Sequence, residues 1–287
     1  VTTVHDLVPL RYPDLVPSRH RWAVRGLLGG ALRRAQRVIA VSETTRGEIL
    51  ARYRLPPARV VVVPEAASPH FAPLPPPVLA ATRARYGLDR PYVLFVGFLE
   101  PKKNLDVLLD AVARLRRAGT WGQTELVVVG ASGWGPDPAR RALALGLDGA
   151  VRFVGPAPDA DLPTLYGGAL AFAFPSRWEG FGIVLLEAML AALPIVATRV
   201  SAVPEVVADG ATYDVLTDDD LNIIAEGPDL VIHQPDTALA DMDDVVVQMH
   251  TRSGLLDAIR ASTITHDEAE AATLAFLRQH IPVAHTV

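Results

Sequence analysis

Two stretches of the chain combine cations, carboxylates and glycines in an order that suits an anionic ligand rich in hydroxyls. The first is Gly97-Phe98-Leu99-Glu100-Pro101-Lys102-Lys103-Asn104. Its two adjacent lysines stand just before an expected helix, whose N-terminus itself attracts anions. Gly97 permits a tight turn, and the set suits a diphosphate. A solvated loop is the competing reading of two lysines alone. The second stretch is Pro175-Ser176-Arg177-Trp178-Glu179-Gly180-Phe181-Gly182, leading into a helix that carries Glu187. Gly180 and Gly182 let backbone approach a ligand closely and leave amides to donate. Glu187 lies eight residues after Glu179, about two helical turns on. Carboxylates accept well from sugar and ribose hydroxyls, so the pair could grip two sets of them at different depths. Incidental glutamates on an amphipathic helix fit the spacing equally, and a paired hydrolytic dyad fits it no better.

The elements that must position these loops alternate regularly. Strands are expected at residues 92–96, 125–129, 151–154, 170–174 and 194–198. Helices are expected at 104–117, 138–145, 162–169, 181–192 and 203–208. Solid apolar strands alternating with helices predict an α/β fold: a Rossmann-like, doubly wound parallel sheet covered on both faces, with right-handed crossovers. Ligands of such sheets sit beyond the carboxyl ends of the strands, where both loops fall. Upstream, residues 1–4 read as a strand ending at His5-Asp6, and 18–35 as an arginine-rich helix. Residues 37–41 read as a strand, Ser42 as an N-cap for a helix over 44–53, and 60–63 as a buried strand stopped by Pro64. The proline-rich residues 71–77 read as a linker. The chain opens on Val1 inside an apparent strand, so we expect its natural start to lie upstream.

The 287 residues suffice for one large domain or two modest ones. Half are hydrophobic and 21% charged, a globular composition. There are no cysteines, which excludes a disulfide framework and cysteine-ligated zinc and suits a reducing compartment. No apolar run reaches the ~18 residues of a membrane span, and no signal peptide opens the chain. The expected location is cytoplasmic. The arginine-rich stretch between Arg19 and Arg37 is either a peripheral contact to anionic lipid at the inner face of the membrane or a solvated helix face. No basic patch interleaved with aromatics suggests nucleic acid.

The net charge of −5 conceals a change along the chain. Residues 1–213 carry 24 Lys+Arg against 18 Asp+Glu, whereas 214–287 carry 3 against 14. All four Trp and 21 of the 24 Pro lie before the change, which suggests two segments of different origin.

Glu179-Gly180-Phe181-Gly182, Glu187-Ala188-Met189, Pro194-Ile195-Val196-Ala197-Thr198 and Pro204-Glu205-Val206 follow in order. Together with the Gly97 to Asn104 loop, Leu162 to Tyr166, Phe174-Pro175-Ser176 and Val4-His5-Asp6, they resemble the family-4 retaining glycosyltransferases of GT-B fold. The resemblance covers about residues 1–210. It implies transfer of a hexose from a nucleotide-sugar donor, as in mannosyltransferases, to a glycan or lipid-linked acceptor, with retention and with no metal or other cofactor. Residues 1–75 would be the remnant of the acceptor domain with its linker, and 76–212 an incomplete nucleotide-sugar domain. Lys103 with Lys102 would neutralise the leaving diphosphate, beside Gly97. Glu179, Gly180 and the Phe181-Gly182 backbone would hold the sugar, Glu187 the ribose, and His5 would approach the sugar from across the cleft. Catalysis would fall to His5, Glu179 and Lys103. Two details depart from the pattern. Phe98 and Lys102 occupy the candidate positions of an expected Arg, and Glu65-Ala66 replaces an Asn-Gly pair.

Beyond residue 213, Leu221 to Gly227, His233-Gln234-Pro235-Asp236, Met242-Asp243-Asp244, His250 to Leu255 and Ala261-Ser262-Thr263 resemble an internal part of oligoribonuclease, a DEDD exonuclease. Two antiparallel strands at 221–225 and 230–233 and a final helix over 266–279 are expected. That family's metal-binding carboxylates would lie outside the matched part, so the acids here read as a solvated face. Three readings follow. The chain is a glycosyltransferase that binds its donor with transfer impaired; or a 3'-5' exoribonuclease fragment lacking its metal site; or a chimera joined near 210–215 without a single evolved function.

Overall fold

The computed structural model describes residues 1–207 together with residues 215–216 and 245–246, all within one compact unit, Val1–Met249. The tail strands and final helix expected from sequence lie outside the described residues.

The N-terminal part forms a parallel sheet of β1 (Thr2–Val4), β2 (Val38–Ala40) and β3 (Val60–Val62), in that order. A short helix α1 (Val8–Arg11) follows β1, then α2 (Ser18–Arg34) and α3 (Glu43–Tyr53). Val4, Leu32, Val38, Ala40, Ile49 and Val60 close its core. Ser42 caps α3, its side chain accepting from the Thr45 amide, as the serine before a helical run predicts.

Residues 72–75 of the stretch expected as a linker, 71–77, carry no helix or strand, and its last two residues open helix α4 (Pro76–Tyr86). Proline is tolerated in a first helical turn, where its missing N–H would have no partner. Gly87 at φ +63° closes the helix.

The larger sheet contains β4 (Tyr92–Val96), β5 (Glu125–Val129), β6 (Val151–Gly155), β7 (Ala171–Phe174) and β8 (Ile195–Ala197). Its order is β6-β5-β4-β7-β8 and every pairing is parallel. The connecting helices are α5 (Leu105–Arg117), α6 (Pro138–Ala144), α7 (Leu162–Gly167) and α8 (Ile183–Leu190), with α9 (Val203–Val206) after β8. Every residue of β4 and β5 is buried, as strands covered on both faces require. Val93, Phe95, Leu126 and Val128 meet Leu105, Leu109 and Val112 of α5. On the other face Tyr92 donates to the Leu165 carbonyl at 2.7 Å, and Tyr166 packs on Phe172. A further antiparallel pair joins β9 (Val215–Leu216) to β10 (Val245–Val246). Among the described residues no helix is long and apolar enough to cross a membrane.

The chain builds outward from β4 to β6 on one side, then returns to place β7 and β8 on the other. The crevice at this reversal lies between the ends of β4 and β7, where ligands of open α/β sheets bind. The neighbouring strand end supports it: Gly130 has φ +148°, and a Cβ there would lie 1.9 Å from the Gly97 carbonyl oxygen. Gly130→Ala is therefore expected to lose about 1–3 kcal/mol to backbone strain and displacement, seen as a lower urea midpoint. An unchanged midpoint would show that the strand end can move aside freely.

Candidate functional site

The loops after β4 and β7 are fastened to each other. The Arg177 amide donates to the Lys102 carbonyl at 2.8 Å, and Arg177 Nε to Asn104 Oδ1 at 2.9 Å. The Lys102-Lys103 pair lies in a 3-10 turn, Pro101–Lys103, and Asn104 at φ +55° carries the chain into α5. Asparagine adopts this left-handed geometry more readily than most residues. Gly182, at φ +95°, makes the corresponding turn into α8, and there a side chain would be strained.

Within this crevice the two lysines face three carboxylates. Lys103 Nζ lies 2.7 Å from Glu179 Oε1 and 5.2 Å from the centre of the Phe174 ring. Lys102 Nζ lies 3.5 Å from Asp6, 3.7 Å from Glu100 and 3.9 Å from Glu179. Burial pulls the Lys102 ammonium pKa down, but Glu179, Asp6 and Glu100 outweigh it and hold the pKa above the ordinary value. Burial pushes the Glu100 carboxyl up, and Lys102 and Lys103 only partly oppose it. Glu179 is 6% exposed, and its amide donates to Ser201 Oγ at 2.8 Å. These are the only two lysines in a chain with 27 Lys+Arg.

The other wall comes from the N-terminal sheet. A Cβ at Gly180 would sit 1.7 Å from the His5 carbonyl oxygen, so only glycine allows the two backbones to meet. The Gly180 carbonyl accepts from Ser42 Oγ at 2.6 Å and from Thr45 Oγ1 at 3.3 Å. Glu205 accepts from the Glu43 and Thr44 amides at 2.7 and 2.8 Å and from Thr44 Oγ1 at 2.5 Å. A carboxylate from one sheet thus caps the first turn of α3 on the other, where the helix dipole favours negative charge. Arg11 lies 4.7 Å from the Trp178 ring centre, with Tyr12 beside it. Trp134 Nε1 donates to the Leu15 carbonyl at 2.8 Å.

Glu187 is engaged elsewhere: Tyr166 donates to its Oε2 at 2.8 Å. Burial raises the Glu187 pKa, the Tyr166 hydroxyl opposes that, and Asp159 adds to it. His5 turns its ring to Glu65, with Nδ1 2.8 Å from Oε1.

The structure therefore joins Lys102, Lys103 and Glu179 in one cluster and sets Gly180 against His5, while Gly97 adjoins the Lys103 stem. Phe181 is buried beside them in sequence. Sequence reasoning missed Asp6, Glu100 and Glu205 as participants. For Asp6 the available signal was its place directly after a strand end. Glu100 looked like part of a solvated loop, and the partner of Glu205 lies 162 residues away. Among the described residues, no group of three or more His, Asp or Glu is placed to hold a metal.

Comparison with known proteins matches a family described as glycosyl transferases group 1 to residues 81–242, and glycosyltransferase family 4 to residues 1–71. O-antigen chain mannosyltransferase B of Escherichia coli is 34% identical over 211 residues, 73% of this chain and 55% of that protein. The crystal structure of Anabaena Alr3699/HepE in complex with UDP and glucose superposes with a TM-score of 0.60 at 25% identity, covering 72% of this chain and 55% of that one. The chain thus spans about half the length of these relatives. A short segment resembles oligoribonuclease: that of Rhodococcus jostii is 55% identical over 71 residues, 25% of this chain and 36% of that protein.

Because Gly180 sets the distance between the two walls, Gly180→Ala is expected to part them and expose Trp178, which is only 8% exposed. A red shift of tryptophan emission and stronger acrylamide quenching would report the separation. Parent-like emission with an intact fold would mean that the His5 backbone yields instead.

Proposed function

Since the chain belongs to the glycosyl transferases of group 1, we propose that it binds a nucleotide-sugar in the crevice after β4 and β7, for retaining transfer of a hexose to a glycan or lipid-linked acceptor. The observation that carries this reading is the pair of lysines held by carboxylates at the sheet's reversal point. In it, Lys103 and Lys102 take the diphosphate. Glu179 and the Gly180-Phe181-Gly182 backbone take the sugar. The Glu187 oxygen not bonded to Tyr166 takes a ribose hydroxyl, and His5 faces the sugar from the opposite wall. The glycosidic bond breaks through an oxocarbenium-like state. Negative charge then grows on the departing diphosphate, so fixed ammonium groups stabilise the transition state more than the bound ground state.

The lysine content makes this testable by chemistry at amines. Within these 287 residues Lys102 and Lys103 are the two side-chain amines that pyridoxal phosphate followed by borohydride can label. UDP or GDP is expected to protect both. Lys103→Ala should weaken nucleotide binding by about ten- to a hundredfold, the worth of a charge-assisted hydrogen bond of about 1.5–3 kcal/mol. Labelling indifferent to either nucleotide in a folded sample would defeat the reading.

The acceptor side suggests peripheral contact with anionic lipid. Arg19, Arg25, Arg33 and Arg34 of α2 are exposed, and Trp22 and Leu27 stand 65% and 73% exposed among them. Each such cation near an anionic surface contributes about 1 kcal/mol. Co-sedimentation with phosphatidylglycerol vesicles, lost in high salt, is expected. Equal pelleting with neutral vesicles, or none with either, would rule the contact out.

A further inference from the structure

His5 and Glu65 lie just beyond β1 and β3, the outer strands of the N-terminal sheet, at the same end because all three strands are parallel. His5 Nδ1 and Glu65 Oε1 are 2.8 Å apart. A carboxylate only accepts, so the proton between them resides on Nδ1. The His5 side chain is 71% exposed and that of Glu65 26%, which leaves the far edge of the ring open. The backbone of the same histidine is fixed from the opposite side, its carbonyl lying where a Cβ of Gly180 would be. His5 is thus gripped at two points, by the donor-side loop through its main chain and by Glu65 through its ring.

We propose that Glu65 is a positioning residue for His5: it holds the imidazole in the Nδ1–H tautomer and presents Nε2 to the hexose being transferred. This rests on the proposed function, in which His5 faces the sugar. A free neutral imidazole prefers the opposite tautomer, so Glu65 selects the less common form, as hydrogen bonding at one ring nitrogen sets the role of the other. In the neutral ring Nε2 accepts from a sugar hydroxyl. The pair as a whole then carries one negative charge, which favours the positive charge developing at the sugar carbon. An isolated histidine would offer none or a positive one. Asp6, next to His5 in the chain, lies 3.5 Å from Lys102 Nζ.

The test reads the ring directly. Long-range proton–nitrogen spectra of the full chain with labelled histidine, with His5 assigned by its loss in His5→Gln, are expected to show the Nδ1–H tautomer. Glu65→Ala should lose that preference and Glu65→Asp should restore it. Glu65→Gln should keep the tautomer, because its amide oxygen still accepts. A His5 in the Nε2–H form, or one unmoved by Glu65→Ala, overturns the proposal whatever the donor does. UDP-glucose and GDP-mannose are then compared with UDP and GDP. A shift of the Nε2 resonance with a nucleotide-sugar but not with its nucleotide supports presentation to the sugar, and equal shifts overturn it. No shift with any ligand, beside an intact tautomer preference, counts against the donor reading itself.

Discussion

The cleft depends on one steric allowance. At position 180 the backbone of the donor loop meets the carbonyl of His5 with no space for a single carbon between them. The bonds from Ser42 and Thr45 to the Gly180 carbonyl, and from the start of α3 to Glu205, require that approach. So does the packing of Trp178 against Arg11 and Tyr12. Each is an ordinary interaction of modest worth on its own. Their geometry is mutually consistent because the backbone contact fixes the separation at which the side chains meet. Interfaces of this kind separate as a set when the closest contact is wedged apart, since packed surfaces deform little.

The electrostatics of the crevice follow from that closure. Asp6 comes from the N-terminal sheet, Glu100 and the lysines from the loop after β4, and Glu179 from the loop after β7. None of these charges would be tolerable half-buried alone. Brought together, Glu179, Asp6 and Glu100 hold the Lys102 pKa above its ordinary value against the pull of burial, while burial raises that of Glu100. Two ammonium groups thus stand among three carboxylates drawn from three separate loops.

The sheet was the most legible part of this architecture. Apolar runs such as Tyr92-Val93-Leu94-Phe95-Val96 and Glu125 to Val129 match the strands to the residue, because a strand buried on both faces leaves no room for polar interruption. Helix α4 was hidden by Pro75-Pro76-Pro77, which reads as extended chain until its role in a first helical turn is seen. The short helix α1 escaped because four residues carry no periodicity. In the site, local loop chemistry left Lys102, Lys103 and Glu179 between a ligand site and a solvated or incidental role, and the ordered motifs singled them out; the structure brings the three together. Glu205 as a cap for α3 and Glu65 as a partner for His5 were not legible, since each bond joins residues 60 or more positions apart. Only the folded chain sets such distances.

Every other basic side chain in this protein that is permanently charged is arginine, yet the crevice holds lysine twice in succession. The two side chains differ in how they release a partner. Guanidinium locks onto a carboxylate through a planar, two-pronged match, whereas an ammonium on a four-carbon stem makes a point contact that can pivot. On the proposed reading, a cation already committed to Glu179 has to change counter-ion when the diphosphate arrives and give it up again when the diphosphate leaves. Lysine supplies that interchangeability. In the proposed donor site, the pair at 102 and 103 would make the crevice a place where ionic partners are traded, with the carboxylate of Glu179 released to a neighbouring hydroxyl in the course of the trade.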